Sequence, residues 1–176
     1  MPTRLITATG ALLLMLAACA APRDETSAGP HLSTPPHPDA VSFSGHWYAV
    51  FDLHISWHEA KAHCEALGGH LATITSQEEQ DFITELADGR YLFLGASDEI
   101  AEDTWLWITG EPWDFTYWMV GQPNNYGGAE DYLATYDGGK WVDVDAEGDD
   151  FWMPTGFICE WSPGLSSTGY HSPNDQ

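Results

Sequence analysis

The chain has 176 residues, a length suited to one domain with tails. Five Lys and Arg stand against 27 Asp and Glu, a formal charge of -22, which excludes nucleic acid and anionic lipid headgroups as partners and favours cations. Hydrophobic residues reach 43% and aromatics 13%, with nine tryptophans, so a packed core can form.

The first residues are a targeting segment rather than fold. Arg4 precedes an apolar run, Leu5 to Ala18, of signal-peptide length and short for a bilayer span. It ends in Leu16-Ala17-Ala18-Cys19, which resembles the bacterial lipobox, in which the cysteine is lipidated and becomes the mature N-terminus. The alternative is an ordinary signal peptide cut near Ala-x-Ala, with Cys19 incidental. Ala20 follows Cys19, which in Gram-negative lipoproteins implies the outer membrane. The expected organisation is a signal peptide over 1–19, a Pro/Ser-rich tether over 20–42, a folded unit over 43–161 and a polar tail over 162–176. With Cys19 on lipid, one cysteine pair remains, Cys64 and Cys159. Export permits a disulfide between them, worth about 4–5 kcal/mol in the loop-entropy treatment.

Along the folded unit, His46 to Phe51 reads as the first strand. Ser56-x-x-Glu59 is a capping box that opens a helix with Trp57, Ala60, Cys64 and Leu67 on one face, and Gly68-Gly69 stops it. Ser76-x-x-Glu79 opens a second helix with Phe82, Ile83 and Leu86 apolar, ending near Asp88-Gly89. Short strands follow at Tyr91 to Leu94, Trp105 to Ile108, Tyr132 to Tyr136, Lys140 to Val144 and Gly156 to Trp161. Asp137-Gly138-Gly139 forms a tight link. Thr109 to Glu130 lacks periodicity, and a loop of that length in a compact domain is usually functional.

Two metal motifs fail on geometry. His58 and His63 are five apart, one too many for HExxH, and point about 140° apart on a helix. With His54 and His70 they read as helix and turn histidines. Asp143-x-Asp145-x-Glu147-Gly148 imitates an EF-hand start, but its twelfth position is Pro154, where a bidentate Glu is needed. No nucleophile and base set and no phosphate loop are visible, so no enzyme is expected.

Gly121 to Tyr132 reads GQPNNYGGAEDY, with two acids, three amides and no basic side chain. Calcium takes six to eight oxygens, and amides ligate without mutual repulsion. Gln122 and Asn124 flank Pro123, whose peptide geometry can aim both at one point. Glu130, Asp131 and Asp143 add carboxylates. On spacing alone, a calcium loop and a solvated Asn/Gly turn fit equally well.

The region from about His46 to Trp161 resembles a C-type lectin domain. The residues that carry this are the helix with Cys64, Gly69-x-Leu71-Ala72-x-Ile74-x-Ser76-x-x-Glu79, Leu92-Phe93-Leu94-Gly95, Trp107, Trp118, Gln122-Pro123-Asn124, Glu130-Asp131, Trp141-x-Asp143 and Ile158-Cys159-Glu160. The resemblance implies an α+β fold: two helices, two small antiparallel sheets and a long calcium-binding loop region. It implies a disulfide from Cys64 to Cys159. The family's inner disulfide is missing, with Tyr132 at one of its positions, and this implies a softer loop region.

The resemblance also implies calcium (Ca2+) as cofactor. The principal ion would use Gln122, Asn124, Glu130 and Asp143, the first two either side of a cis-proline. A further ligand position, Asn in the family, is Val142 here. An auxiliary ion would use Asp98, Glu102, Asn125, Glu130 and Asp131. The implied function is calcium-dependent carbohydrate binding by a surface-anchored lectin with weak, broad preference. Gln122, Asn124, Glu130 and Asp143 would hold sugar hydroxyls, and Tyr126 would stack on the ring. Its partners would be glycans or glycoproteins, and its only contact with the membrane a lipid anchor. The alternative is a protein-binding adhesin that does not take sugar.

Overall fold

A computed structural model describes residues 34–147 and 153–163. The lipobox with Cys19, the tether up to residue 33 and the tail from residue 164 lie outside the described residues. Eight strands and two helices follow in the order β1 (Val41–Phe43), β2 (His46–Phe51), α1 (Trp57–Ala66), β3 (His70–Leu71), α2 (Gln77–Ala87), β4 (Leu92–Ser97), β5 (Leu106–Trp107), β6 (Tyr132–Thr135), β7 (Trp141–Val144) and β8 (Gly156–Trp161). Val41 and Ser42, within the expected tether, already pair with β2, and His37 packs on Phe51 with ring centroids 5.1 Å apart.

Both helices begin where the capping chemistry places them. The Glu59 amide donates to Ser56 Oγ at 3.3 Å, and the Ser56 amide donates to Glu59 Oε2 at 3.0 Å. Two donors that α1 would otherwise leave bare are thereby satisfied, worth about 1 kcal/mol. Trp57, Ala60 and Cys64 are the buried face of α1. Ser76 caps α2 through the Glu79 amide, and Asp88 closes it in the left-handed region at φ 49°.

The sheet runs β1-β2-β8-β4-β6-β7, with β3 on β8 and β5 on β4. The two antiparallel sheets expected from the resemblance are continuous instead, because β4 runs parallel to β8 where Leu92 and Phe93 face Gly156 and Phe157. On its other side β8 packs closely on β2: a Cβ at Gly156 would stand 2.1 Å from the Phe51 carbonyl oxygen.

Strand alternation sorts the core into two layers. Leu92, Leu94, Leu133, Trp141 and Ile158 join Ile83 of α2. Phe93, Ala134, Val142, Phe157 and Cys159 join Trp57 and Cys64 of α1. Trp57 is 2% exposed and donates its indole N–H to the Leu94 carbonyl at 2.8 Å; truncating so large a buried side chain costs about 3–5 kcal/mol. Gln80, a polar residue on α2, is fully buried. It accepts from the Trp141 indole at 2.7 Å and donates to the Gly139 carbonyl at 3.0 Å, and these hydrogen bonds offset the cost of its burial.

Cys64 and Cys159 are both buried and stand as free thiols in this structure. They face each other closely enough to interact. Burial, with Cys159 alongside, pushes the Cys64 thiol well above the ordinary range.

Candidate functional site

The long loop between β5 and β6 carries little regular structure, yet aromatic rings fix its course. Trp113 packs on Trp107 at 4.6 Å and on Trp141 at 5.6 Å. Trp118 bridges alongside Trp141, and the Met119 amide donates to the Trp141 carbonyl at 2.8 Å. The chain is thus laid beside β7 immediately before Gln122. The Gln122–Pro123 peptide is cis, as the resemblance implies.

Asp143 on β7 organises the turn after Pro123. Its Oδ2 accepts from the Asn124 amide at 2.8 Å and from the Asn125 amide at 2.6 Å. Its side chain is 2% exposed, yet Oδ1 is buried without a hydrogen-bond partner. Asn125 sits at φ 41°, turning the loop so that the Tyr126 amide donates to Glu130 Oε2 at 2.7 Å. The Asn124 amide group donates to Gln122 Oε1. Gln122, Asn124, Tyr126, Glu130 and Asp143 therefore line one cavity of about 530 Å³. All five residues expected at the sugar site are brought together, with Tyr126 80% exposed at the mouth.

The auxiliary set lies next to it. Asn125 donates to Glu102, its Oδ1 accepts from the Glu130 amide at 3.2 Å, and the Asp98 amide donates to the Asp131 carbonyl at 3.1 Å. Asp98 Oδ2 accepts from the Asp103 amide at 2.9 Å, while Oδ1 is buried and unpartnered. Burial pushes the Asp98 carboxyl up to about 6, and repulsion from Glu102 and Asp131 adds to this.

Among the described residues, no three of His, Cys, Asp and Glu gather in a geometry that holds a metal. A site here must therefore draw on the amide oxygens of Gln122, Asn124 and Asn125. The donor set fits a hard cation, being all oxygen. The two orphaned carboxylate oxygens fit it as well, since a buried acceptor without a partner is costly and a cation would satisfy it. Val142 offers nothing to an ion. It is 6% exposed and lies on the cavity wall.

Tyr132, at the position of a missing cysteine, donates its hydroxyl to Glu99 Oε2 at 2.7 Å and lies 3.0 Å from His58 Nε2. The loop after β4 is thereby tied to α1 by hydrogen bonds. His63 instead packs on Phe51 and Phe157. Tyr91, Met119, Tyr136 and Val144 also line the cavity, and the sequence did not point to them. The alternation of Val142 and Val144 on β7 was the available signal.

Comparison with known proteins agrees with this geometry. Residues 54–160 match the family described as Lectin C-type domain. The hepatic lectin of Gallus gallus is 36% identical over 104 residues, covering 58% of this chain and 50% of that protein, so the chain spans half the length of that relative. The cow CD23 C-type carbohydrate-recognition domain, solved in the presence of a GlcNAc2Man3 oligosaccharide, superposes with a TM-score of 0.66 at 30% identity. The match covers 72% of this chain and 95% of that one. A calcium-independent type II antifreeze protein shares the fold, with a TM-score of 0.63 at 23% identity, covering 72% and 93%. On the matched span of residues 54–160, the chain belongs to the C-type lectin domain family.

Proposed function

We propose that this protein binds carbohydrate in a calcium-dependent manner, with weak and broad preference, as an exported domain anchored by lipid on Cys19 at the outer membrane or cell surface. The observation that carries the binding reading is Asp143, whose Oδ1 is buried and unpartnered and which lines the cavity together with Gln122, Asn124 and Glu130. Calcium held there would accept two neighbouring hydroxyl oxygens of a sugar. The chain's own residues orient those hydroxyls: the Gln122 and Asn124 amides can donate and accept, while Glu130 and Asp143 only accept. Tyr126 offers a ring face at the mouth. A lone sugar in such a site binds weakly, and many copies on one membrane compensate through avidity.

Titration of the purified protein with mannose and galactose, with calcium and then with chelator, tests the reading. Weak binding of both that disappears with chelator supports it, and binding unchanged by chelator refutes it. The anchor rests on Leu16 to Cys19. A wild-type protein that carries no acyl group and fractionates as soluble would refute that part.

Val142 favours a second reading, a protein-binding adhesin on the same scaffold, because it removes an oxygen donor from the principal set. Binding to a protein surface that free monosaccharide does not compete away would select it.

A further inference from the structure

Coordination of two hydroxyls uses only the mouth of the cavity. Its volume of about 530 Å³ falls within the roughly 300–1,000 Å³ of pockets that enclose a whole small molecule. The remaining wall has a different chemistry. Val142 and Val144 share one face of β7, Met119 stands beside them, and Tyr91 and Tyr136 complete the wall. Those two rings meet edge to face at 5.3 Å. No side chain of this second group is charged, although the protein as a whole carries a formal charge of -22. Val142 is the junction. It neighbours Asp143 in sequence and Val144 on its own face, so it links the apolar residues of the wall to the oxygen-bearing ones. A polar residue at 142 would divide the two.

We infer that the cavity takes a glycoside carrying an apolar aglycone, its hydroxyls at Gln122, Asn124, Glu130 and Asp143 and its aglycone against Val142, Val144 and Met119. The inference rests on the carbohydrate reading above and names the substrate class of the same site. It gives Val142 a positive role, as the residue that joins an apolar subsite to a hydroxyl subsite. Each methylene removed from water contributes about fourfold in affinity, so the aglycone offsets the weakness of a site that lacks one oxygen donor.

The test compares methyl and hexyl glycosides of mannose and galactose, and hexanol alone, by calorimetric titration of the full chain with calcium and with chelator. Hexyl glycosides are expected to bind at least about tenfold tighter than their methyl counterparts, only with calcium, and hexanol at least about tenfold more weakly than the hexyl glycosides. Val144→Thr, nearly isosteric, and separately Met119→Gln should each cut the hexyl advantage to below about threefold. Methyl glycoside binding should stay unchanged in both variants, which also reports that they fold.

Equal binding of methyl and hexyl glycosides by the wild type overturns the inference and leaves the carbohydrate reading standing. So does a hexyl advantage that survives both substitutions. Hexyl binding undiminished by chelator, or matched by hexanol, shows an apolar site without the sugar half and overturns the inference. Failure of every glycoside to bind in calcium overturns the inference and the carbohydrate reading together.

Discussion

His46 Nδ1 lies 2.6 Å from Glu160 Oε1, joining the start of β2 to the end of β8. Glu160 is 1% exposed. Burial alone would raise its carboxyl, but the His46 bond, the nearby His70 and the Thr73 amide together hold it below the ordinary carboxylate range. His46 is raised in return, chiefly by its hydrogen bond to Glu160, with Glu79 and Glu111 adding to the field. A lowered acid contributes stability that is lost as pH falls through its folded value. A raised histidine contributes stability that is lost as pH rises through its folded value, above the ordinary 6.5. The melting temperature should therefore peak between these limits and decline on both sides. His46→Gln should flatten the decline on the alkaline side and cost about 1–3 kcal/mol near neutrality. An alkaline decline identical in wild type and variant would show that the pair does not set it.

Calcium should raise the melting temperature of the protein. At 100 times its dissociation constant a ligand adds about 2.7 kcal/mol, several degrees for a domain of this size. Asp98→Ala with Glu102→Ala should remove the auxiliary part of the shift, and Glu130→Ala should reduce both parts. Asp143→Ala should also lower stability in chelator, because the Asn124 and Asn125 amides lose their acceptor. Scanning calorimetry in millimolar calcium and in chelator separates these effects. Identical curves in the two conditions would remove the site assignment.

The pair Gln122 and Val142 should set sugar preference. C-type lectins with Glu-Pro-Asn at this loop tend toward mannose and those with Gln-Pro-Asp toward galactose. Gln122-Pro123-Asn124 is a hybrid, and wild type is expected to distinguish the two sugars poorly. Gln122→Glu with Val142→Asn supplies the missing acceptor and the missing oxygen donor. The double variant should bind mannose at least about tenfold tighter, the value of one added good hydrogen bond. Gain of calcium affinity without any mannose binding would favour the protein-binding adhesin.

In an oxidising compartment the two facing thiols should form a disulfide. Mass spectrometry of the unreduced mature protein should find Cys64 joined to Cys159, and reduction should lower stability by about 2–5 kcal/mol. Two alkylatable thiols in protein isolated from an oxidising compartment would rule the bond out.

The helices were legible in the sequence because their signals are local: Ser56 with Glu59 and Ser76 with Glu79 sit three residues apart and need no tertiary partner. Strands β2 and β8 were legible with their limits, since both are runs of apolar and aromatic residues. β1 and β3 were not. Val41–Phe43 and His70–Leu71 are too short to show a period, and only pairing with β2 and β8 makes them strands. Gln80 was also hidden, because a glutamine in a helix reads as solvated until Trp141 and Gly139 arrive from across the fold. At the site, Gln122, Asn124, Glu130 and Asp143 stood out by their oxygen-rich spacing, and the resemblance chose a calcium loop over a solvated turn. The apolar half did not, since Tyr91 and Tyr136 come from distant parts of the chain and Val142 in sequence shows only as a lost ligand.

The order of strands has a mechanical meaning. β1 is one edge of the sheet and β7 the other, so the place where the chain joins the fold and the cavity wall on β7 are separated by the full width of the sheet. A leash on the N-terminal side would leave the opening pointed away from whatever holds the leash. With the two at opposite edges, a hold on the N-terminal side leaves the mouth clear, and neighbouring copies can address one extended ligand without steric conflict at their bases.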